Sequence, residues 1–166
     1  MEKSKPVGQK PPLRPKDVCA IRIHLRNALA VRDLALFNLA IERKLRGCDR
    51  VRLRVRDVTH VNQVAARAQV VERKNLRPVQ FVLTEPTRSA VRAWLDKAAL
   101  RSEQYLCPSR LSASPHLSTL QDARMIGRWV GAAGLDPTVY GTLESTIRYL
   151  GIEVDDALEI SEQTEL

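Results

Sequence analysis

Apolar residues recur at Val18, Ile21, Leu25 and Leu29, the three- and four-residue steps of a helix that buries one face. Asp17 stands just ahead of them, where a carboxylate can cap the first turn. After Arg32 and Asp33 the pattern thickens. Leu34, Leu36, Phe37, Leu39, Ala40 and Ile41 are apolar on nearly every side, as in a helix placed inside a core. The period then shortens. Gln69 to Lys74 and Pro78 to Leu83 are β-prone runs separated by Asn75-Leu76-Arg77, which predicts a hairpin. Leu76 is an awkward turn residue, because tight hairpins favour glycine where φ is positive. Helical spacing returns with Val91, Trp94, Leu95 and Ala98, opening at Thr84 or Thr87, and an irregular link follows at Leu106 to Arg110. Ser118-Thr119-Leu120-Gln121 has the form of a capping box. Ile126, Trp129, Val130 and Ala133 make the stripe behind it, and Gly134 marks the stop. Val154, Ala157 and Leu158 suggest a small acidic helix at the end. The pattern predicts a mainly α chain with a small antiparallel β-sheet, an α+β fold.

Composition narrows the picture. The chain's 166 residues suit one domain. No apolar run approaches a bilayer span, and no basic-then-apolar leader opens the chain, so no membrane partner is expected. Cys19, Cys48 and Cys107 are odd in number and widely spaced, which fits neither a disulfide framework nor a zinc knuckle and suggests a cytoplasmic setting. His24, His60 and His116 show no ligand spacing, so no metal is expected. Residues 1–16 hold five Lys or Arg among four prolines and read as a disordered basic tail.

Charge adds a partner. The net value is +8, and residues 152–166 carry six acids with no Lys or Arg, which leaves +14 for residues 1–151. A body of that sign attracts polyanions, because neutralised phosphates release condensed counterions. Aromatic residues make up 4%, too few for a platform that stacks single-stranded bases, so double-stranded DNA fits better.

Three segments carry candidate chemistry. Leu34-Ala35-Leu36-Phe37 leads through Lys44-Leu45-Arg46-Gly47-Cys48-Asp49, an apolar helix ending in a glycine-bearing turn beside an arginine. Glu72-Arg73-Lys74 sits at the hairpin. Glu144 to Gly151 reads ESTIRYLG. In that order they resemble the tyrosine recombinases, the phage-integrase family, from Asp33 to Glu165. The resemblance implies that residues 17–166 form an integrase-like catalytic domain. It implies a phosphate-binding Arg46, a general-acid Lys74 and a nucleophilic Tyr149, with Arg73 and Arg77 as DNA-binding neighbours. It also implies a 3′-phosphotyrosyl intermediate in DNA integration and recombination, a linkage that retains the bond energy and so calls for no cofactor. Those residue types suit the task. A guanidinium binds two phosphate oxygens and keeps its charge, and a phenol of pKa near 10 needs such help to attack at neutral pH.

The resemblance has a gap. Between Gly141-Thr142 and Leu143-Glu144 the family carries a His-x-x-Arg motif, a helical hairpin and a Gly-His motif, and none is present here. The resemblance thus implies a domain internally deleted between residues 142 and 143. A missing charge donor costs about 10²–10³ in rate, and a missing general acid or base roughly 10²–10⁴. The resemblance therefore implies an impaired enzyme, or else a non-catalytic DNA-binding remnant or an interfering partner of an intact integrase; a degraded product whose basic charge is incidental is the third reading. Deletion is also expected to expose apolar surface on the helices of Phe37 and Trp129 and to loosen the chain after Tyr140. The C-terminal helix is expected either to dock on a second copy on DNA or to pack on its own core.

Overall fold

The computed structural model describes residues 13–43, 45–110 and 114–138. Tyr149, the 142/143 junction and the acidic stretch 152–166 lie outside them, as do the first twelve residues. In chain order the elements are α1 (Pro15–Asn27), α2 (Val31–Arg43), α3 (Gly47–Arg50), α4 (Val55–Val58), β1 (Thr59–His60) and β2 (Gln63–Val64). They continue with β3 (Arg67–Val71), β4 (Pro78–Val82), α5 (Glu85–Ala98) and α6 (Thr119–Ala132).

The α1 helix buries Val18, Ile21 and Leu25, as its spacing predicts. Its start differs from the expectation. Arg14 is the N-cap, and Asp17 lies in the first turn, reaching back to accept the Arg14 amide at 3.1 Å. The helix thus takes in Pro15 and Lys16, the end of the basic stretch, and Leu13 is buried ahead of it. Leu29 falls beyond the helix end in a left-handed conformation, 76% exposed, and does not join the apolar face.

Ala35 to Ile41 of α2 are all buried, so this helix runs through the core. It packs on α5 and α1. The Glu42 carboxylate accepts from the Thr84 amide at 3.3 Å and from the hydroxyls of Thr84 and Thr87. An anion at the N-terminus of α5 satisfies donors that the helix leaves open and opposes its dipole. α6 opens with the capping box: Gln121 donates its amide to Ser118 Oγ at 3.1 Å, and Ser118 returns its own to Gln121 Oε1 at 2.9 Å. It closes on Gly134 at φ 78°, with the Leu135 amide on the Val130 carbonyl at 3.1 Å and that of Gly134 on Gly131 at 3.0 Å.

Phe37 and Trp129 meet edge to face, ring centres 5.9 Å apart, and the Trp129 indole N–H donates to Asp33 at 2.9 Å. Both rings are buried, at 1% and 4% exposure. Each ring covers the other, and Asp33 satisfies the indole's polar end.

Among the described residues two antiparallel ladders are present rather than one. β3 and β4 pair from Arg67 with Val82 to Val71 with Pro78. β1 and β2 form a further two-residue ladder. Its turn residues, Val61 and Asn62, both have positive φ, 48° and 60°. That is the geometry of a two-residue hairpin turn, written here with valine where glycine or asparagine is usual. The residue choice hid it from pattern reading. Leu76 does adopt the positive φ, 50°, that its place in the main hairpin requires. Among the described residues no helix is long and apolar enough to cross a membrane.

Candidate nucleic-acid interface

Arg46 is the N-cap of the single-turn helix α3, in extended backbone with φ −62° and ψ 148°. Its carbonyl accepts the amides of Asp49 and Arg50, each at 2.9 Å. Its side chain is half-buried. A helix of one turn cannot hold itself together in water, since nucleation is unfavourable. Partners outside it therefore fix where Arg46 starts.

Lys74 sits in the loop of the β3–β4 hairpin with Arg73 and Arg77, all three exposed. The loop is closed by the Leu76 amide on the Glu72 carbonyl at 2.8 Å and by the Glu72 amide on the Arg77 carbonyl at 3.1 Å. The Asp49 carboxylate, one turn along from Arg46, accepts the Arg73 amide at 3.4 Å. That contact ties the cationic end of the hairpin to the turn bearing Arg46. Arg46 and Lys74 are thus linked through Asp49 and the Arg73 backbone. Tyr149 lies outside the described residues.

Pattern reading missed two features. The first is Arg50, at 2% exposure and among the largest fully buried side chains. Its Nε donates to Asp122 Oδ1 at 3.1 Å, a terminal nitrogen donates to Asp122 Oδ2, and the other donates to the Leu45 carbonyl at 3.3 Å. An arginine in a short polar turn gives no hint of burial, and its partner is 72 residues away.

The second is an open groove of about 660 Å³ along α6, lined by Arg32, Arg110, Arg124 and Arg128 with Leu117 and Met125 among its apolar walls. Among the described residues no carboxylate lines it. Arg32 bonds Asp33 at 2.9 Å, whereas no ion pair among the described residues involves Arg110, Arg124 or Arg128. Uncompensated guanidiniums around one concavity focus a positive field. The signal was present in sequence: Gln121, Arg124 and Arg128 repeat at helical spacing beside the apolar stripe. Since Asp122 pairs with Arg50, the first turn of α6 joins this groove to the Arg46 turn.

Burial pushes the Cys107 thiol up to about 12 and lowers the Arg22 guanidinium from its ordinary value. Neither group lines the groove. Among the described residues, no cluster of three His, Cys, Asp or Glu could hold a metal ion.

No family model matches the sequence, and no curated protein matches it. Solved structures do. XerA recombinase superposes with a TM-score of 0.65 at 18% identity, covering 89% of this chain and 51% of its own. XerH site-specific recombinase bound to difH substrate, in a pre-cleavage complex, gives 0.61 at 13% identity, covering 89% and 44%. The post-cleavage complex on palindromic difH substrate gives 0.61 at 14%, covering 87% and 42%. The chain has the α+β fold of a tyrosine recombinase domain and spans about half the length of these proteins.

Proposed function

We propose that this chain binds double-stranded DNA through the Arg46 turn, the hairpin cations and the α6 groove, and that it retains a weakened form of tyrosine recombinase chemistry. The observation that carries the reading is the Asp49–Arg73 contact, which draws the Lys74 loop to the Arg46 turn within a recombinase fold. Arg46 would bind two non-bridging oxygens of the scissile phosphate and neutralise the charge that grows there in the transition state. The Tyr149 phenolate would attack phosphorus, forming a 3′-phosphotyrosyl bond, while the 5′-oxygen departs with a proton from Lys74. Attack by a 5′-hydroxyl on that bond reverses the step. The linkage keeps the bond energy, so resealing calls for no nucleotide or metal.

The sequence lacks the second arginine and the two histidines of the family pattern, so turnover should be slow. One such loss costs about 10²–10³, and losses that act together do not simply multiply. The alternative is a protein that occupies duplex sites, or interferes with an intact integrase, without cutting; the absent groups favour it. Cytoplasmic residence, association with nucleoid DNA and docking of residues 152–166 on a second copy belong to the same proposal.

A nicked suicide duplex, whose cleaved strand diffuses away, separates the two readings on a denaturing gel. Slow accumulation of a covalent adduct, abolished by Tyr149→Phe while duplex binding persists, is the expected result. Binding with no adduct from either protein would leave the non-cutting reading. Binding that is weak and insensitive to salt would remove both.

A further inference from the structure

We infer that the buried Arg50–Asp122 pair is a positioning device for Arg46, an inference that rests on reading Arg46 as a phosphate ligand. The Arg50 guanidinium spends two nitrogens on Asp122 and the third on the Leu45 carbonyl, the group immediately before Arg46. On the other side, a Cβ placed on Gly47 would stand 3.3 Å from Asp122 Oδ2, tighter than nine in ten real Cβ contacts, so the residue immediately after Arg46 fits against Asp122 as a glycine. The main chain is therefore bonded to the ion pair just before Arg46 and passes close beside it just after. Arg50 and Asp122 are exposed by only 2% and 3%. Neither lines the arginine groove, so their charges are spent on each other and on the backbone.

Packing alone does not account for the pair. Two apolar side chains of similar volume usually serve a core as well or better, because the charges must first be desolvated. What the pair supplies is direction. A planar fork bound at three points has little rotational freedom, and it transmits the placement of α6 to the turn that carries Arg46. Asp49 adds the second anchor, from the hairpin side.

The test measures the effect of Arg46→Ala on affinity for a fluorescein-labelled random-sequence duplex in two backgrounds. In the natural background Arg46→Ala should weaken binding about tenfold, the scale of one lost charge-assisted contact. In Arg50→Met/Asp122→Leu, confirmed as folded by thermal melting, Arg46 is no longer aimed, and the same substitution should cost less than about twofold. Should that background not fold, Arg50→Lys retains the charge but not the three-point fork, and the same loss of coupling is expected. An equal tenfold cost in both backgrounds overturns the positioning role while leaving Arg46 a DNA ligand. No cost in the natural background overturns Arg46 as a ligand, and this inference with it.

Discussion

Arg124→Ala/Arg128→Ala should flatten the salt dependence of duplex binding without unfolding the protein. Both side chains are exposed on α6, alanine is the better helix former, and no ion pair among the described residues uses either arginine. The substitutions therefore remove charge from the groove and little else. Each phosphate contact contributes about 0.9 to the slope of log affinity against log salt, so two lost contacts should reduce it by about 1.8. Over a fourfold rise in salt, the variant should consequently lose about twelvefold less affinity than the natural protein. Fluorescence anisotropy of a labelled duplex between roughly 50 and 200 mM salt reads this directly. Lys97→Ala/Arg101→Ala removes the same net charge from exposed positions that do not line the groove. Equal slopes for the two double variants would refute the groove as a phosphate track, since only bulk charge would then matter.

Two further outcomes test the fold. Leu76→Gly should stabilise the protein by about 1 kcal/mol, because Leu76 holds φ 50° at 77% exposure and gives up almost no packing; a lower urea midpoint would contradict the turn assignment. Cys107 should resist alkylation in the folded protein while the half-buried Cys19 and Cys48 react. Burial raises its thiol from 9.0 to about 12. Below pH 9 the thiol is protonated whether the chain is folded or not. Above it the unfolded chain releases the proton first, so stability should fall by about 1.4 kcal/mol per pH unit until the folded thiol ionises. In Cys107→Ala that part of the slope should vanish, and an unchanged slope would assign it elsewhere.

The parts of the fold legible in sequence were those that a local period encodes. The stripe through Ile126, Trp129 and Val130, the all-round apolar run of α2 and the Ser118 box each appear where spacing puts them, because each depends on residues within one or two turns. The first helix boundary moved where neighbouring residues outweighed the apparent cap. Asp17 reads as a cap in isolation, yet Pro15 extends the helix and makes it a first-turn acceptor. The β1–β2 ladder escaped notice because Val61 and Asn62 take positive φ without the glycine that normally signals it. At the candidate site, the order of motifs singled out Arg46 and Lys74. Arg50, Asp122 and Asp49 have no sequence signature, since each acts through contacts made only once α3, α6 and the hairpin converge.

Under the proposed function, that division gives a physical reason for the site to outlast part of its chemistry. Arg46 and the hairpin cations face solvent or half-face it, where a single substitution removes charge at little cost to the core. The groups that hold them are buried and charged, and removing one partner of such a pair costs about 3–5 kcal/mol because the other charge is left uncompensated. Loss of Asp122 alone would thus damage the fold before it damaged binding. Loss of Lys74 would do the reverse. A chain that sheds catalytic groups elsewhere while remaining folded is expected to keep the Arg50–Asp122 anchor, and with it an Arg46 still presented to a phosphate. Duplex affinity should therefore survive where strand cleavage fades, which is the order of loss the suicide-substrate assay reads.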